Sequence, residues 1–364
     1  MIYFDNAATT KPCEQAIIAA AENMRNNFGN ASSLHKLGIE AEKVLTSAKK
    51  TILARLGLEG EIYFTSGATE SNNTALLGVC EVYKRVGSRI VTTSVEHPSV
   101  ARVMDKLEAM GFEVVRIAPK DCMDSFEQAI IGAVDGNTLL VSTMAVNNET
   151  GFHIDVQKIY RAVKAKYPKC MVHVDGVQGF CKVPLAGDFI SMSAHKIHGI
   201  KGVGALYCAK GARFAPLLAG GGQQKNLRSG TEPIDIIAGF EAAVKAYPKT
   251  MSHLEELYSH TAKLLSGLEG VTVNSKNNIP SILNFSVQGV RSEIMLHYLE
   301  ESQIYISSGS ACSKGKKSAV LSEFGISDKN IDSAIRVSFN NENTIAETEQ
   351  FVDAIYNGIK RFRR

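Results

Sequence analysis

Residues 170–178 read Cys-Met-Val-His-Val-Asp-Gly-Val-Gln, and residues 193–196 read Ser-Ala-His-Lys. The first stretch has the short apolar pattern of a buried strand, and Asp175 stands where that strand ends. Lys196 follows Asp175 by 21 positions and has a hydroxyl and an imidazole beside it. A lysine that can form a Schiff base and an acid that can set the electronics of a bound ring together predict a pyridoxal-phosphate site.

Short strand-like runs alternate with helical runs between about residues 60 and 210, which predicts an α/β fold with a mostly parallel sheet. Seven strands are expected, at 61–65, 89–93, 113–117, 138–144, 170–174, 188–192 and 203–209. The helices expected between them include 70–86, 98–110, 125–134 and 156–167.

The pattern changes after Gly220-Gly221-Gly222. A long helical region at 233–268 is followed by shorter runs at 282–286, 293–300, 304–307 and 335–339 and by a final helix from Thr344. We therefore predict a large cofactor-binding α/β domain at 13–250. Residues 1–12 and 251–364 are predicted to form a small α+β domain that carries the segment around Cys312.

Composition narrows the class of protein. The chain has 364 residues with 45% apolar content, enough for one large and one small domain, and its net charge of +3 does not predict nucleic-acid binding. No basic start followed by an apolar stretch indicates a secretory signal, and no apolar run is long enough to span a membrane. Seven cysteines without a Cys-x-x-Cys pair indicate a reducing compartment, so we expect a cytoplasmic protein.

A run of small and polar residues lies where a strand is expected to end and a helix to begin. Residues 65–73 read Thr-Ser-Gly-Ala-Thr-Glu-Ser-Asn-Asn. Backbone N–H groups at a helix start, with a glycine allowing close approach, can bind a phosphate. The alternative is that the hydroxyls simply cap the helix.

Other polar residues follow predicted strands and could surround a cofactor ring. Asp175 could pair with the ring nitrogen, although it could also be an ordinary helix cap. Gln178 and Asn148 could reach the ring hydroxyl. His97 could stack on the ring and transfer protons, although a lone histidine at such a turn is often structural.

Three histidines also raise the possibility of a zinc site. Those residues are His173, His195 and His198. They lack helical spacing for ligands, and no cysteine stands beside them at ligand spacing, so no metal is expected.

Arg336 and Cys312 lie in the C-terminal third. Arg336 interrupts an apolar strand and could bind a substrate carboxylate in a bidentate pair, or form an internal salt bridge. Cys312 lies within small and polar residues at 307–317, and nearby lysines favour its thiolate. The alternative is an exposed loop with an incidental cysteine.

Eight runs in order along the chain resemble the cysteine desulfurases of the NifS/IscS type, which are pyridoxal-phosphate enzymes of the class V aminotransferase group. The runs are Tyr3-Phe4-Asp5-Asn6-Ala7-Ala8-Thr9-Thr10, Phe28-Gly29-Asn30 with Ser32-Ser33-Leu34-His35, Phe64-Thr65-Ser66-Gly67-Ala68-Thr69-Glu70-Ser71, Asn147-Asn148-Glu149, His173-Val174-Asp175, His195-Lys196, Leu227-Arg228-Ser229-Gly230-Thr231-Glu232 and the run around Cys312. The resemblance covers essentially the whole chain and implies the fold type I of pyridoxal-phosphate enzymes.

The resemblance implies a role for each candidate residue. Lys196 would attach the cofactor, and His97 would stack on its ring and handle protons. The phosphate would be bound by Ala68, Thr69, Ser193 and His195, while Asp175 would pair with the ring nitrogen and Asn148 and Gln178 would address the ring hydroxyl. Arg336, with Asn148, would bind the substrate.

The resemblance also implies the reaction and its partners. L-cysteine would be converted to L-alanine, with Cys312 as the nucleophile that becomes a persulfide. Thr231 would reach the phosphate of a neighbouring subunit, which implies a homodimer. The sulfur would pass to an acceptor protein, either an iron–sulfur scaffold or a tRNA-thiolation enzyme.

Two alternatives remain open at this point. The same fold and cofactor could serve a selenocysteine lyase or a plain aminotransferase. A non-catalytic relative that binds partners is a further possibility, although the presence of Lys196, His97 and Cys312 together speaks against it.

Overall fold

The computed structural model describes residues 1–308 and 318–363. The strands are β1 (Ile2–Tyr3), β2 (Gly60–Thr65), β3 (Arg89–Thr93), β4 (Glu113–Ile117), β5 (Thr138–Met144), β6 (Met171–Asp175), β7 (Phe189–Ser193), β8 (Gly204–Ala209), β9 (Val271–Val273), β10 (Ile282–Val287), β11 (Ile304–Tyr305), β12 (Ser307–Ser308) and β13 (Ala334–Ser338). The helices are α1 (Glu14–Asn26), α2 (Lys36–Leu56), α3 (Ala68–Tyr83), α4 (Pro98–Ala109), α5 (Phe126–Gly132), α6 (Val156–Lys166), α7 (Ile234–Ala246), α8 (Ser252–Ser266), α9 (Ser292–Glu301), α10 (Ala319–Glu323), α11 (Asp328–Asp332) and α12 (Ile345–Phe362).

The central sheet confirms the predicted α/β fold. Its strand order is β2-β8-β7-β6-β5-β3-β4, and β8 runs antiparallel to both of its neighbours while the other pairs are parallel. All seven predicted strands are present, with ends shifted by at most one residue. Strands such as β5 are buried along their whole length because helices cover both faces, which explains their continuous apolar sequence.

A second, antiparallel sheet has the order β12-β13-β10-β9. Its apolar side chains pack with those of α8, α9 and α12 in a separate core that includes Phe285 and Phe351. Ala7, Ile282 and Phe324 pack into the large core although they lie outside 13–250. The predicted domain bounds therefore stay a prediction.

Two predicted elements are each divided in the structure. The helical region 233–268 consists of α7 and α8, and the break contains Pro248, before which Tyr247 adopts an extended conformation. Before the break, α7 contacts α1 and α2. After it, α8 packs in the core of the second sheet. The predicted strand 304–307 likewise consists of β11, which pairs with β1, and β12, which pairs with β13.

The topology brings several loops to one edge of the central sheet. Strands β2, β3, β5, β6 and β7 all run in the same direction, so their carboxyl ends lie together. Ligands bind at this edge in open α/β sheets. The loops that follow these five strands carry most of the candidate residues.

Gln224 completes the hydrogen bonding of the edge strand β2. Its Oε1 accepts from the N–H of Phe64 at 2.6 Å, and its Nε2 donates to the carbonyl of Phe64 at 2.8 Å. Gln224 has a left-handed backbone, with φ of 47°, which glycine or asparagine adopts more readily. The side chain thus replaces a missing neighbouring strand directly before the loop at 65–69.

We expect Gln224→Ala to lower the free energy of unfolding by about 2 kcal/mol, because the buried N–H and carbonyl of Phe64 lose their partners. Urea unfolding of the purified protein measures this change. Gln15→Ala, at an exposed position of α1, is the matched control and should have little effect. Equal stability of the two variants would contradict the role given to Gln224.

Candidate active site

A cavity of about 800 Å³ lies at the carboxyl edge of the central sheet. It is lined by ten of the residues predicted from the sequence, namely Ala68, Thr69, His97, Asn148, Asp175, Gln178, Ser193, His195, Lys196 and Arg336. Thr231 does not line it, and Cys312 lies outside the described residues. In the described parts of the chain, no helix is long and apolar enough to cross a membrane.

Lys196 lies in a short turn directly after β7. Its Nζ donates to the carbonyl oxygens of Ala7 and Ala8, the second at 2.7 Å. Burial, followed by the nearby charges of Arg336 and Lys182, lowers the pKa of the Lys196 amine to about 7. A large share of this amine is therefore neutral and nucleophilic at neutral pH.

Asp175 is the last residue of β6 and is buried. Its Oδ1 accepts from the N–H of Val177 at 3.0 Å, and its Oδ2 accepts from Nδ2 of Asn72 at 3.0 Å. No arginine or lysine within residues 1–308 and 318–363 forms an ion pair with it. A buried carboxylate in this situation can take a cationic partner from a ligand.

His97 is connected to Asp175 through two further residues. Asn72 Nδ2 also donates to Ser99 Oγ at 2.8 Å, and Ser99 Oγ lies 2.8 Å from His97 Nδ1. Burial and the charge of Lys196 lower the pKa of His97, against the opposing effect of Asp175, so the ring is neutral at neutral pH. Asn72 was not among the predicted residues, although a polar residue on the buried face of α3 was a usable signal.

The start of α3 faces the cavity without a side-chain cap. Gly67 is the N-cap residue and makes no side-chain cap hydrogen bond, while Thr65 Oγ1 donates to the carbonyl of Gly67 at 3.0 Å. The alternative that these hydroxyls cap the helix is therefore wrong for Thr65. Among the described residues, no group accepts from the N–H groups of Ala68, Thr69 and Glu70, which leaves this first turn open to an anion.

Two charged residues support this loop, namely Glu70, which lines the cavity, and Arg228, which does not. Glu70 Oε2 accepts from the N–H of Ser66 at 2.7 Å, and Arg228 Nε donates to Glu70 Oε1 at 2.9 Å. Burial acts to raise the pKa of Glu70, but Arg228 and Ser66 outweigh it and lower the pKa overall. Arg228 thus neutralises a carboxylate that would otherwise repel an anion bound by the loop.

Arg336 lies on β13 and reaches the cavity from the second sheet. Its Nη2 binds Asp5 Oδ1 at 2.8 Å, and its Nη1 donates to the carbonyl of Asn148 at 2.9 Å. Its Nε is buried and has no partner among the described residues. The internal salt bridge considered from the sequence is present, and it leaves the Nε–H, among other guanidinium N–H groups, without a described partner.

The described chain on either side of the segment that contains Cys312 is connected to residues of this cavity. Ser307 lines the cavity and pairs with Arg336 between β12 and β13. Ser318 Oγ donates to Glu149 Oε2 at 2.6 Å, and Glu149 follows Asn148 directly.

The other predicted residues lie apart from this cavity. Thr231 is exposed beside a separate cavity of about 140 Å³ that Ser66 and Arg228 also line. His173 lies between Ser142 and Ser191, at 2.9 and 3.1 Å from their hydroxyls. Both of its ring nitrogens are therefore occupied by protein groups, which argues against the zinc alternative.

We expect Lys196→Met to stabilise the cofactor-free fold at pH 7. In the unchanged protein, the pKa of the Lys196 amine falls from 10.5 in the unfolded chain to about 7 in the folded chain. This shift lowers the free energy of unfolding by at most about 5 kcal/mol below pH 7. The unfolded chain binds more protons between these values, so the penalty disappears as pH rises towards 10.5. Urea unfolding at pH 7 and 9.5 measures the gain, which should be smaller at pH 9.5. A gain independent of pH, or an equal gain in the exposed-site control Lys210→Met, would contradict this account.

The class-V aminotransferase family model matches residues 2–351 of the chain. A NifS/IcsS protein homolog of Lactobacillus delbrueckii subsp. bulgaricus is 39% identical over 370 residues, which cover 97% of this chain and 96% of the relative. The cysteine desulfurase IscS of Buchnera aphidicola subsp. Schizaphis graminum is 36% identical over 385 residues, which cover 100% of this chain and 93% of the relative. A solved NifS-like protein superimposes with a TM-score of 0.89 at 34% identity, covering 99% of both chains. The chain belongs to the class-V aminotransferase family.

Proposed function

We propose that the cavity binds pyridoxal phosphate and that the protein is a cysteine desulfurase. The buried groups without partners support this cofactor. Asp175 offers a carboxylate to a protonated ring nitrogen, and Gln178 Oε1 is buried with no hydrogen-bond partner among the described residues. The open first turn of α3 at Ala68 and Thr69 offers N–H donors to a phosphate, and Lys196 offers an amine with a lowered pKa.

The residues have distinct tasks in this proposal. Lys196 attaches the cofactor, and Ser193 and His195 complete the phosphate site. When bound, pyridoxal phosphate supplies a ring that accepts electrons from the substrate carbon next to the amino group. Burial, Lys196 and Lys201 lower the pKa of His195 to about 4, so it serves as a neutral hydrogen-bonding group. His97 is also neutral and can therefore accept a proton.

Substrate recognition is assigned to Arg336. The guanidinium is oriented by Asp5 and by the carbonyl of Asn148, and its buried Nε has no partner in the described chain. A carboxylate of L-cysteine supplies the missing acceptor. The amino group of the substrate is then directed towards Lys196, which lines the same cavity.

The sulfur-transfer step is assigned to Cys312. Its thiolate attacks the sulfur of L-cysteine, and the bond between that sulfur and the substrate carbon breaks. The electron pair of this bond stays on carbon, which is protonated so that L-alanine results, while the sulfur remains on Cys312 as a persulfide. The observation that carries this assignment is that Ser307, next to the described end at Ser308, lines the cavity, while Ser318 at the other described end binds Glu149, the neighbour of the cavity-lining Asn148.

Transfer of labelled sulfur tests the proposed function. Purified protein loaded with pyridoxal phosphate is given ³⁵S-cysteine, and alanine and protein-bound sulfur are measured, with the persulfide located by mass spectrometry. We expect Cys312→Ala to abolish both products while keeping the absorption band near 420 nm that indicates a Schiff base.

Cys13→Ala is the matched control because Cys13 is partly exposed but lies at the start of α1. This variant should transfer sulfur as the unchanged protein does. Sulfur label on another cysteine but never on Cys312 would overturn the assignment. Release of elemental selenium or selenide from selenocysteine, without any reaction of cysteine, would instead favour a selenocysteine lyase.

We expect Arg336→Lys to raise the KM for L-cysteine by at least tenfold, because a lysine cannot form the bidentate pair and leaves Asp5 with poorer geometry. Steady-state alanine formation measures KM and kcat. Arg291→Lys is the control, since Arg291 forms exposed ion pairs away from the cavity. An unchanged KM in Arg336→Lys would refute its role in substrate binding.

We further propose a homodimer that acts in the cytoplasm and delivers sulfur to an acceptor protein, either an iron–sulfur scaffold or a tRNA-thiolation enzyme. Exposed apolar side chains near α1 and α2 support a covering second copy, including Met24 at 56%, Phe28 at 74% and Leu34 at 96% exposure. The exposed Thr231 would then contact the neighbouring subunit.

A further inference from the structure

A small second cavity adjoins Lys196, and no residue of α3 lines it. Its volume is about 10 Å³, which is close to the space that one water molecule needs. Lys196 and Gln178 line both this cavity and the larger one, whereas Lys182, Ser281 and Asn340 line only the small one. None of these last three residues has a task in the proposed reaction.

The polar groups around this cavity are incompletely bonded. Gln178 Oε1 and Ser281 Oγ are buried and have no partner within the described residues. The Lys182 amine shares the cavity with them, and burial lowers its pKa to about 8. Only the Cys181 thiol opposes this shift, so no described carboxylate neutralises Lys182. One water in the cavity would satisfy all three groups.

The backbone directs Lys182 towards this position. Cys181 has a left-handed conformation with φ of 67°, which is unfavourable for a residue with a side chain. Arg55 Nη2 fixes this turn by donating to the carbonyl of Cys181 at 2.9 Å and to that of Pro248 at 2.7 Å. The guanidinium of Arg55 also lies 5.9 Å from the ring centre of Tyr247, which lines the small cavity.

Burial has the largest effect on the protonation of Lys196, and charged groups of both signs add to it or oppose it. Arg336 and Lys182 act against its protonation, and Asp5 and Asp175 favour it. Arg336 is paired with Asp5 at 2.8 Å, so its positive charge is largely compensated.

The neighbouring histidines add no compensating or competing charge at neutral pH. The pKa values of His97, His195 and His198 are all lowered, mainly by burial, and these rings are neutral. Lys201 lines the larger cavity but acts on His195 and is not among the charges that shift Lys196. Lys182 is thus the cation near Lys196 that lacks a carboxylate partner in the described chain.

We propose that Lys182 is a positioning residue whose charge, in the small cavity that it shares with Lys196, adds to the effect of burial in keeping the Lys196 amine neutral and ready to attack an aldehyde at neutral pH. Lys182 acts from the small cavity and touches neither the cofactor nor the substrate. The inference concerns the amine of the cofactor-free chain, so it does not depend on which reaction follows attachment.

Competitive labelling of lysines tests this directly. The full-length cofactor-free protein is acetylated with trace acetic anhydride at a series of pH values from about 5.5 to 10. It is then unfolded, and the remaining lysines are fully acetylated with isotopically heavy acetic anhydride. Mass spectrometry gives the reactivity of each lysine against pH. We expect Lys196 to titrate near pH 7 in the unchanged protein.

Lys182→Met should raise the midpoint of Lys196 by about one pH unit, which lowers its reactivity at pH 7 several-fold. Lys182→Arg retains the charge and should keep the low midpoint. Lys210→Met removes a charge from an exposed turn and should leave the midpoint unchanged. If Lys182 had only a structural role, the Lys196 midpoint would not differ in this way between the methionine and arginine variants.

An unchanged midpoint in Lys182→Met, or an equal rise in Lys210→Met, would overturn the proposal. If circular dichroism shows that Lys182→Met does not fold, Lys182→Gln is labelled in its place and must show the same rise. Failure of sulfur transfer would refute the proposed function and would leave these titrations unaffected, so the two results are distinguishable.

Discussion

Residues 4–10, the N-terminal segment that contacts Lys196, are the constraint on which the rest of the site depends. Phe4 packs in the core of the second sheet, whereas Ala7 packs in the large core. The carbonyls of Ala7 and Ala8 accept hydrogen bonds from the Lys196 amine, and the Thr10 hydroxyl donates one to the carbonyl of His195. The same segment therefore joins the two cores and desolvates the amine, which links the stability of the fold to the reactivity of the lysine.

Desolvation changes the protonation of the buried basic groups of this site. The amine of Lys196 and the rings of His97 and His195 become easier to keep neutral. Asp175 accepts one hydrogen bond on each carboxylate oxygen, from Asn72 and from the N–H of Val177. Neutral bases thus surround a carboxylate with no described ion-pair partner, an arrangement suited to a cationic ring.

Several buried atoms at the site have no hydrogen-bond partner among residues 1–308 and 318–363, including Gln178 Oε1, Ser281 Oγ and Arg336 Nε. Each such atom lowers the stability of the folded state unless a ligand or water supplies a partner. Their grouping around the two adjoining cavities agrees with a site that is completed by its ligands. The left-handed backbone at Cys181 adds to this local cost.

The sequence by itself determined the α/β fold, all seven strands of the central sheet and ten of the residues that line the cavity. It did so because strand periodicity is local and because polar residues at the carboxyl ends of parallel strands must meet at one edge. Only the tertiary structure decided the division of 233–268, the link of Asn72 between Asp175 and Ser99, and the place of Lys182. These features arise from contacts between residues far apart in the chain, and no local pattern specifies which cation is left without a carboxylate partner.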